Sequence, residues 1–213
     1  MYNNNRTDII NHVKDHAIIY LFMTILFLTG IIFGAIIVNS MNFVQKQELF
    51  FYLERFFNQI VDGHAIDNIL ILKESFLYHA KYLSLLFLLG LSVIGLPIVW
   101  ILLYVKGLVV GFSVGFLVNQ LGLKGLFLSA LSIAPQNLII IPIYIIAGTL
   151  SMVFSLRLLN KLFSRRPTGP IFQPFGKYML TFSILLLASM LASGIEAYVA
   201  NGSMSALIRS FYQ

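Results

Sequence analysis

The chain has 213 residues, of which 59% are hydrophobic and 10% are charged, against about 45–50% and about 25% in ordinary globular domains. A soluble fold of this composition would expose more apolar surface than monomeric soluble proteins tolerate. The sequence therefore predicts a single integral membrane domain over residues 1–213. The absence of cysteine excludes disulfides and cysteine-ligated metals, and the net charge of +6 forms no basic face for nucleic acid.

Long uncharged apolar runs predict membrane-crossing helices, which need about 20 residues. The run Ala17–Val38 is too long for a signal-peptide core and is expected to be retained as a span. Residues 82–123 as one helix would be about 63 Å long, so the chain is expected to fold back near Lys106–Gly107. The predicted fold is all-α, a polytopic bundle with about five spans at 17–38, 82–105, 107–123, 137–156 and 178–200.

Prolines within these runs predict irregular helices. Pro97 is expected to kink the second span, because neighbouring helices can satisfy the carbonyl that it frees. Pro135 and Pro142 interrupt the long run Gly125–Leu156, since residues before proline avoid helical geometry. Residues Gly125–Ala134 are therefore predicted to form a short re-entrant or interfacial segment ahead of the fourth span.

The distribution of Lys and Arg predicts the orientation of the chain in the membrane. The loop 157–177 is rich in both and contains no acid, so it is predicted to be cytoplasmic. Four predicted spans separate this loop from the N-terminal tail, which places the N-terminus on the cytoplasmic side. The segment 39–81 and the C-terminus are then extracytoplasmic, in a membrane protein that contacts lipid.

The segment 39–81 is predicted to be helical, with an amphipathic helix at 43–61. Asp62–Gly63 is expected to end that helix, and Asp67 is a candidate N-cap for a second one. The segment contains more aromatic residues than one helix stripe can bury, and aromatic anchors dominate binding hot spots. Packing against the spans is an equal alternative to partner binding. The candidate partner-binding residues are Phe50, Phe51, Phe56 and Phe57.

Candidate catalytic and metal-ligating residues are few, and neither an enzyme activity nor a cofactor is predicted. His64, Glu74 and His79 share the segment 39–81 and are interpreted as solvated positions on amphipathic helices. Glu196 is the ionisable residue within a predicted span, which makes it a candidate functional position. An interfacial or packing role is favoured for Glu196.

Three glycines at fourth positions, Gly107, Gly111 and Gly115, lie on one face of a helix. In lipid such a face lets two backbones approach closely. The pattern predicts helix packing within the chain, or the seam of a homodimer.

A second unusual stretch places polar amides next to helix breakers at the start of a late span. Amides in such a position must be hydrogen-bonded by protein or by cavity water, so they either cap the helix or line a polar site. Capping is favoured over a polar site. The residues of this polar broken-helix motif are Pro135, Gln136, Asn137 and Pro142.

The stretch PQNLIIIP at Pro135–Pro142, the basic-tailed first span and the Phe-rich external segment resemble the stage II sporulation protein M family. This resemblance covers essentially the whole chain. It implies a non-enzymatic anchor in the mother-cell or septal membrane that recruits peptidoglycan hydrolases, an amidase/endopeptidase and a lytic transglycosylase, for forespore engulfment. The broader superfamily includes companions of transport systems, so a permease-like subunit that works with a separate ATPase is the alternative.

Overall fold

A computed structural model describes residues 14–61, 67–163 and 172–212, and the regular structure in these ranges is helical. The predicted all-α class is confirmed. A π-helical turn at Glu196–Ala200 joins the last two helices. The helices are α1 Ala17–Ser40, α2 Phe43–Val61, α3 Asn68–Gly90, α4 Gly95–Leu121, α5 Leu123–Ser132, α6 Ala134–Phe163, α7 Phe172–Ile195 and α8 Asn201–Tyr212.

Four helical stretches in the described ranges are long and apolar enough to cross a membrane. The chain is therefore a multi-pass membrane protein. The predicted count of five spans is not confirmed, because α3 is less apolar and carries Lys73, Glu74 and Lys81. The candidate spans are Ala17–Ser40, Gly95–Leu121, Ala134–Phe163 and Gln173–Ser210.

The predicted fold-back at Lys106–Gly107 is wrong, because α4 continues through both residues. The chain turns instead at residues 91–94, between α3 and α4. Pro97 lies in the first turn of α4, where its missing N–H would have had no partner within the helix. It therefore helps to start a helix and does not kink a span, and the separate spans predicted at 82–105 and 107–123 are corrected accordingly.

The short segment predicted between the third and fourth spans is present as α5, a helix of 10 residues. Gly122 separates it from α4 with φ of 58°, a left-handed conformation that favours glycine. The N-cap predicted at Asp67 is also confirmed, since its carboxylate accepts a hydrogen bond of 2.9 Å from the Ile69 N–H. The stop expected at residues 62–63 lies outside the described residues.

Helices α1 and α4 lie side by side and run in the same direction. Phe22, near the start of α1, packs edge-on against Trp100 near the start of α4, with 5.3 Å between ring centroids. Asn119 donates to Asn39 across 3.4 Å at the other end of the pair. Since the two helices are parallel, the N-terminus of α1 and the α3–α4 turn lie at the same end of the bundle.

Glycines on both helices allow this pair to pack backbone against backbone. A Cβ added at Gly111 would lie 2.7 Å from the carbonyl carbon of Ile31, and one at Gly34 would lie 2.7 Å from the nitrogen of Phe112. Gly107 is buried against the backbone of Phe27 in the same way. The helix face that contains Gly107 and Gly111 is thus covered by α1 of the same chain.

Hydroxyl groups hold the end of α3 against α6 and α7. Ser151 donates to the Leu86 carbonyl at 2.8 Å and Tyr178 donates to the Phe87 carbonyl at 2.9 Å. Ser155 donates to the Ser92 carbonyl at 2.8 Å. The Phe87 and Ser92 carbonyls belong to the last turn of α3 and to the turn that follows, where carbonyls have no partner within the helix. All three bonds place the C-terminal half of α6 and the start of α7 beside the α3–α4 turn.

A second, smaller apolar cluster lies at the opposite end of the bundle, where α2, α5 and α8 meet the end of α4. Helix α8 therefore packs against the rest of the protein through Ile208, which is fully buried. Helix α2 is anchored to the bundle through its C-terminal half. The buried members of this cluster are Phe57, Ile60, Leu117, Leu128 and Ile208.

Candidate functional site: a polar pocket inside the bundle

A pocket with a volume of about 450 Å³ lies between α3, α4, the start of α6 and the π-helical turn. It extends from Lys106, near the middle of α4, towards the end of the bundle opposite the α3–α4 turn. Within the described ranges, no group of three or more His, Asp or Glu residues is arranged to hold a metal ion. The polar lining residues are Glu74, Ser75, Tyr78, His79, Lys106, Ser113, Gln136, Asn137 and Glu196.

Glu196 begins the π-helical turn, a departure from α-helical geometry that is frequent at functional sites. Its carboxylate accepts a hydrogen bond from the Ser75 hydroxyl of α3. When the Gln136 amide is oriented with its nitrogen towards Glu196, it donates to both carboxylate oxygens, at 3.1 Å to Oε1. In this orientation both carboxylate oxygens act as acceptors.

His79 is a residue of α3 that lies next to Glu196 and is only 5% exposed. Its Nδ1 is 2.6 Å from the hydroxyl oxygen of Tyr144, which is fully buried on α6. Its Nε2 is 3.9 Å from Glu196 Oε2 and has no hydrogen-bond partner among the described residues. The interpretation of His79 as a solvated residue is therefore wrong, because the buried face of α3 includes it.

Lys106 extends from the middle of α4 into a group of tyrosines. Its ammonium group donates to the Tyr78 hydroxyl at 3.1 Å and lies 4.4 Å from the centroid of the Tyr78 ring. The rings of Tyr144 and Tyr82 lie 5.2 and 5.8 Å away, within the range of cation–π attraction. Lys106 is thus a cation inside a candidate span. The sequence had indicated Glu196 as the one ionisable residue within the spans, and the structure adds Lys106.

The residues of the polar broken-helix motif take both of the roles considered for them, helix capping and the lining of a polar site. The Asn137 side-chain amide donates to the Ile133 carbonyl at 2.7 Å and so caps the turn between α5 and α6. Gln136 contacts Glu196, and both amides line the pocket. Pro135 lies in the first turn of α6, and the break expected at Pro142 is absent because α6 continues through it.

The four candidate partner-binding residues on α2 lie in different environments. Phe57 is buried and Phe56 packs against the same apolar cluster, whereas Phe51 is 51% exposed. The Arg55 guanidinium lies 4.5 Å from the centroid of the Phe51 ring. Phe50 is partly buried. Packing therefore accounts for Phe56 and Phe57, and Phe51 stays available at the surface.

Sequence reasoning missed His79, Ser75 and Lys106 as pocket residues. Lys106 separates the two uncharged runs that predict spans at 82–105 and 107–123. The glycine series that starts at Gly107 indicates close helix packing at the point where a turn is predicted, and this was the available signal that the helix continues. His79 carried no such signal, since its partner Tyr144 is distant in the sequence.

The fold and the pocket define a multi-pass helical membrane protein with opposite charges inside its bundle. The chain belongs to the family described as stage II sporulation protein M, whose family model matches residues 23–201, from within α1 to the start of α8. No curated protein and no solved structure matches the chain. Membership in this generally non-catalytic family implies a membrane protein of engulfment during sporulation, and the resemblance found in the sequence is confirmed.

Proposed function

We propose that the protein is a non-enzymatic scaffold that recruits peptidoglycan hydrolases, an amidase/endopeptidase and a lytic transglycosylase, to the septal membrane. The supporting observation is the surface of α2. This helix lies outside the candidate spans and is anchored by Phe57 and Ile60, which leaves Phe43 and Phe51 exposed at 78% and 51%. Exposed aromatic residues on an anchored helix are suited to act as binding anchors, because they lose little conformational entropy on binding.

The proposed orientation places the N-terminus in the cytoplasm and α2 and α8 outside. Lys14 and the described bases of the loop 157–177 lie at the end of the bundle that contains the α3–α4 turn. Excess Lys and Arg mark the cytoplasmic side. In this arrangement α3, with 23 residues or about 34 Å of helix, makes a fifth crossing despite its charges.

Cysteine labelling tests this orientation, because the chain has no natural cysteine. Gln47→Cys on α2 is expected to react with a membrane-impermeant thiol reagent in intact cells. Asn160→Cys at the end of α6 and Ser92→Cys in the α3–α4 turn are expected to react only after the membrane is permeabilised. All three positions are exposed. Labelling of Ser92→Cys in intact cells would contradict the crossing by α3.

Phe51 and Phe57 separate docking from packing on the same helix. We expect Phe51→Ala to leave the amount of protein and its melting temperature unchanged while it reduces co-purification of both hydrolases from sporulating cells. Phe57→Ala should cost about 3–5 kcal/mol, because it empties a buried site. Phe33→Ala, at a phenylalanine that is 52% exposed on α1, is the matched control. Undiminished recovery of both hydrolases with Phe51→Ala would refute docking through this residue.

A homodimer, the alternative to packing within the chain for the glycine series, would have to use another surface, since Gly107 and Gly111 are buried against α1.

A second candidate function, a permease-like subunit with a separate ATPase, is favoured by the polar pocket. Ionisable residues inside spans often mark substrate pathways. The same co-purification distinguishes the two functions, because a permease subunit would retain an ATPase and a scaffold would retain hydrolases.

A further inference from the structure

Two opposite charges line one pocket of this membrane protein and do not pair with each other. Glu196 and Lys106 both line the cavity, yet no carboxylate in the described ranges lies within 4.0 Å of the Lys106 ammonium group. Charges inside a span are costly and normally pair with one another or with backbone carbonyls. The absence of an ion pair between Lys106 and Glu196 therefore requires a physical explanation.

The cause is that each charge has its own set of neutral partners. Lys106 is held by the Tyr78 hydroxyl and by tyrosine ring faces. Glu196 is held by Ser75 and Gln136. Neutral groups thus stabilise both charges in place, so the pocket keeps one negative and one positive pole. Glu74 adds a second carboxylate to the lining from an exposed position on α3.

His79 provides an independent observation at the same place. The ring is 5% exposed and lines the pocket, but its Nε2 has no hydrogen-bond partner in the described part of the chain. Burying a polar atom without a partner costs free energy, and each such atom in a native structure calls for an explanation, of which a bound group outside the chain is one. Because this nitrogen is 3.9 Å from Glu196 Oε2, the missing partner belongs beside the negative pole.

We propose that this pocket binds a zwitterion, a molecule with an ammonium group and an anionic oxygen group a few bonds apart. The ammonium group contacts Glu196, the oxyanion contacts Lys106, and His79 Nε2 bonds to a polar atom between them. The volume of about 450 Å³ lies in the range of small-molecule sites. The apolar walls, which include Ile71 and Ile140, accommodate a short carbon chain.

This chemistry has two sources, a free amino acid and the phosphoethanolamine head group of a membrane lipid. Binding at the pocket does not depend on hydrolase recruitment, because α2 and its exposed aromatic residues do not line the pocket. The scaffold proposal and the pocket proposal can therefore fail separately.

The first experiment is calorimetric titration of the full-length protein in detergent with free alanine and with phosphoethanolamine. Methylamine, a cation alone, and acetate, an anion alone, are the reference probes. We expect saturable binding of at least one zwitterion and much weaker binding of both single ions. Absence of saturable zwitterion binding, or equal affinity for methylamine, would overturn the proposal.

Native mass spectrometry after reconstitution then distinguishes the two sources. Protein from nanodiscs that contain phosphatidylethanolamine is compared with protein from nanodiscs that contain only phosphatidylglycerol. Retention of phosphatidylethanolamine by the wild type, abolished in Lys106→Gln, supports the lipid head group. Binding of free alanine without selective lipid retention supports the free amino acid.

Variants connect the binding to the two poles. Lys106→Gln and Glu196→Gln should each weaken zwitterion binding by about 10–100-fold, since each removes a charged hydrogen-bond partner. Lys106→Arg should retain binding, because it keeps the positive charge. Lys81→Gln and Glu54→Gln, at exposed positions outside the pocket, are the matched controls. Unchanged affinity in Lys106→Gln would overturn the proposed positive pole.

Discussion

Gly111→Leu is expected to destabilise the folded protein by more than about 3 kcal/mol, at the upper end of what overpacking costs. A Cβ at this position would lie 2.7 Å from both the Cα and the carbonyl carbon of Ile31. Backbone atoms cannot rotate away as a side chain can, so α1 and α4 would have to separate. In a chain of this size the loss corresponds to a melting temperature lowered by at least about 6 °C.

The measurement can use the intrinsic fluorescence of Trp100, the single tryptophan of the chain, which packs against Phe22 across the α1–α4 interface. Gly176→Leu is the control, because no atom lies within 4 Å of a Cβ added there. It should melt like the wild type or slightly higher, since leucine favours the helix more than glycine does. A wild-type melting curve for Gly111→Leu, with loss of a cross-linked dimer, would instead assign the glycine face to a dimer.

Tyr178→Ala is the second substitution with a large expected effect, a loss of about 3–5 kcal/mol for emptying a buried aromatic site. The ring stacks on Phe154 at 4.5 Å and on Phe87 at 5.0 Å between centroids. Its hydroxyl also donates to the Phe87 carbonyl. Without the ring, the start of α7 loses the stacking contacts with Phe87 of α3 and Phe154 of α6.

Tyr178→Phe separates the ring from the hydroxyl and should cost only about 1 kcal/mol, the usual net value of one hydrogen bond. Tyr198→Ala, at a tyrosine that is 58% exposed, is the matched control and should leave the melting temperature nearly unchanged. Equal losses for Tyr178→Phe and Tyr178→Ala would show that the hydroxyl, and not ring packing, holds α7 in place.

Several features of the fold could be predicted from local sequence alone. The apolar run Ala17–Val38 is long enough to cross a bilayer whatever it packs against, and the structure has α1 at Ala17–Ser40. Asp67 is an N-cap because its carboxylate reaches an N–H two residues away. Both features depend only on residues that are neighbours in the sequence, so they can be predicted from it.

The α3–α4 turn is an intermediate case. Its signals, two glycines flanking residues 91–94 and Pro97 shortly after, were present in the sequence. They were outweighed by Lys106, whose charge separates two uncharged runs and so predicts the end of a span there. A cation is tolerated within α4 because Tyr78 and two further tyrosine rings, which come from α3 and α6, stabilise it.

Local sequence is sufficient to predict an all-α membrane protein, its family and the positions of most helices. It does not predict that Glu196, His79, Lys106 and Gln136 share one pocket, or that Phe57 is buried while Phe51 is exposed. These groupings join residues far apart in the chain, as the bond between Ser75 and Glu196 does across 121 positions. Hydropathy and helical spacing describe one helix at a time and do not specify which faces meet.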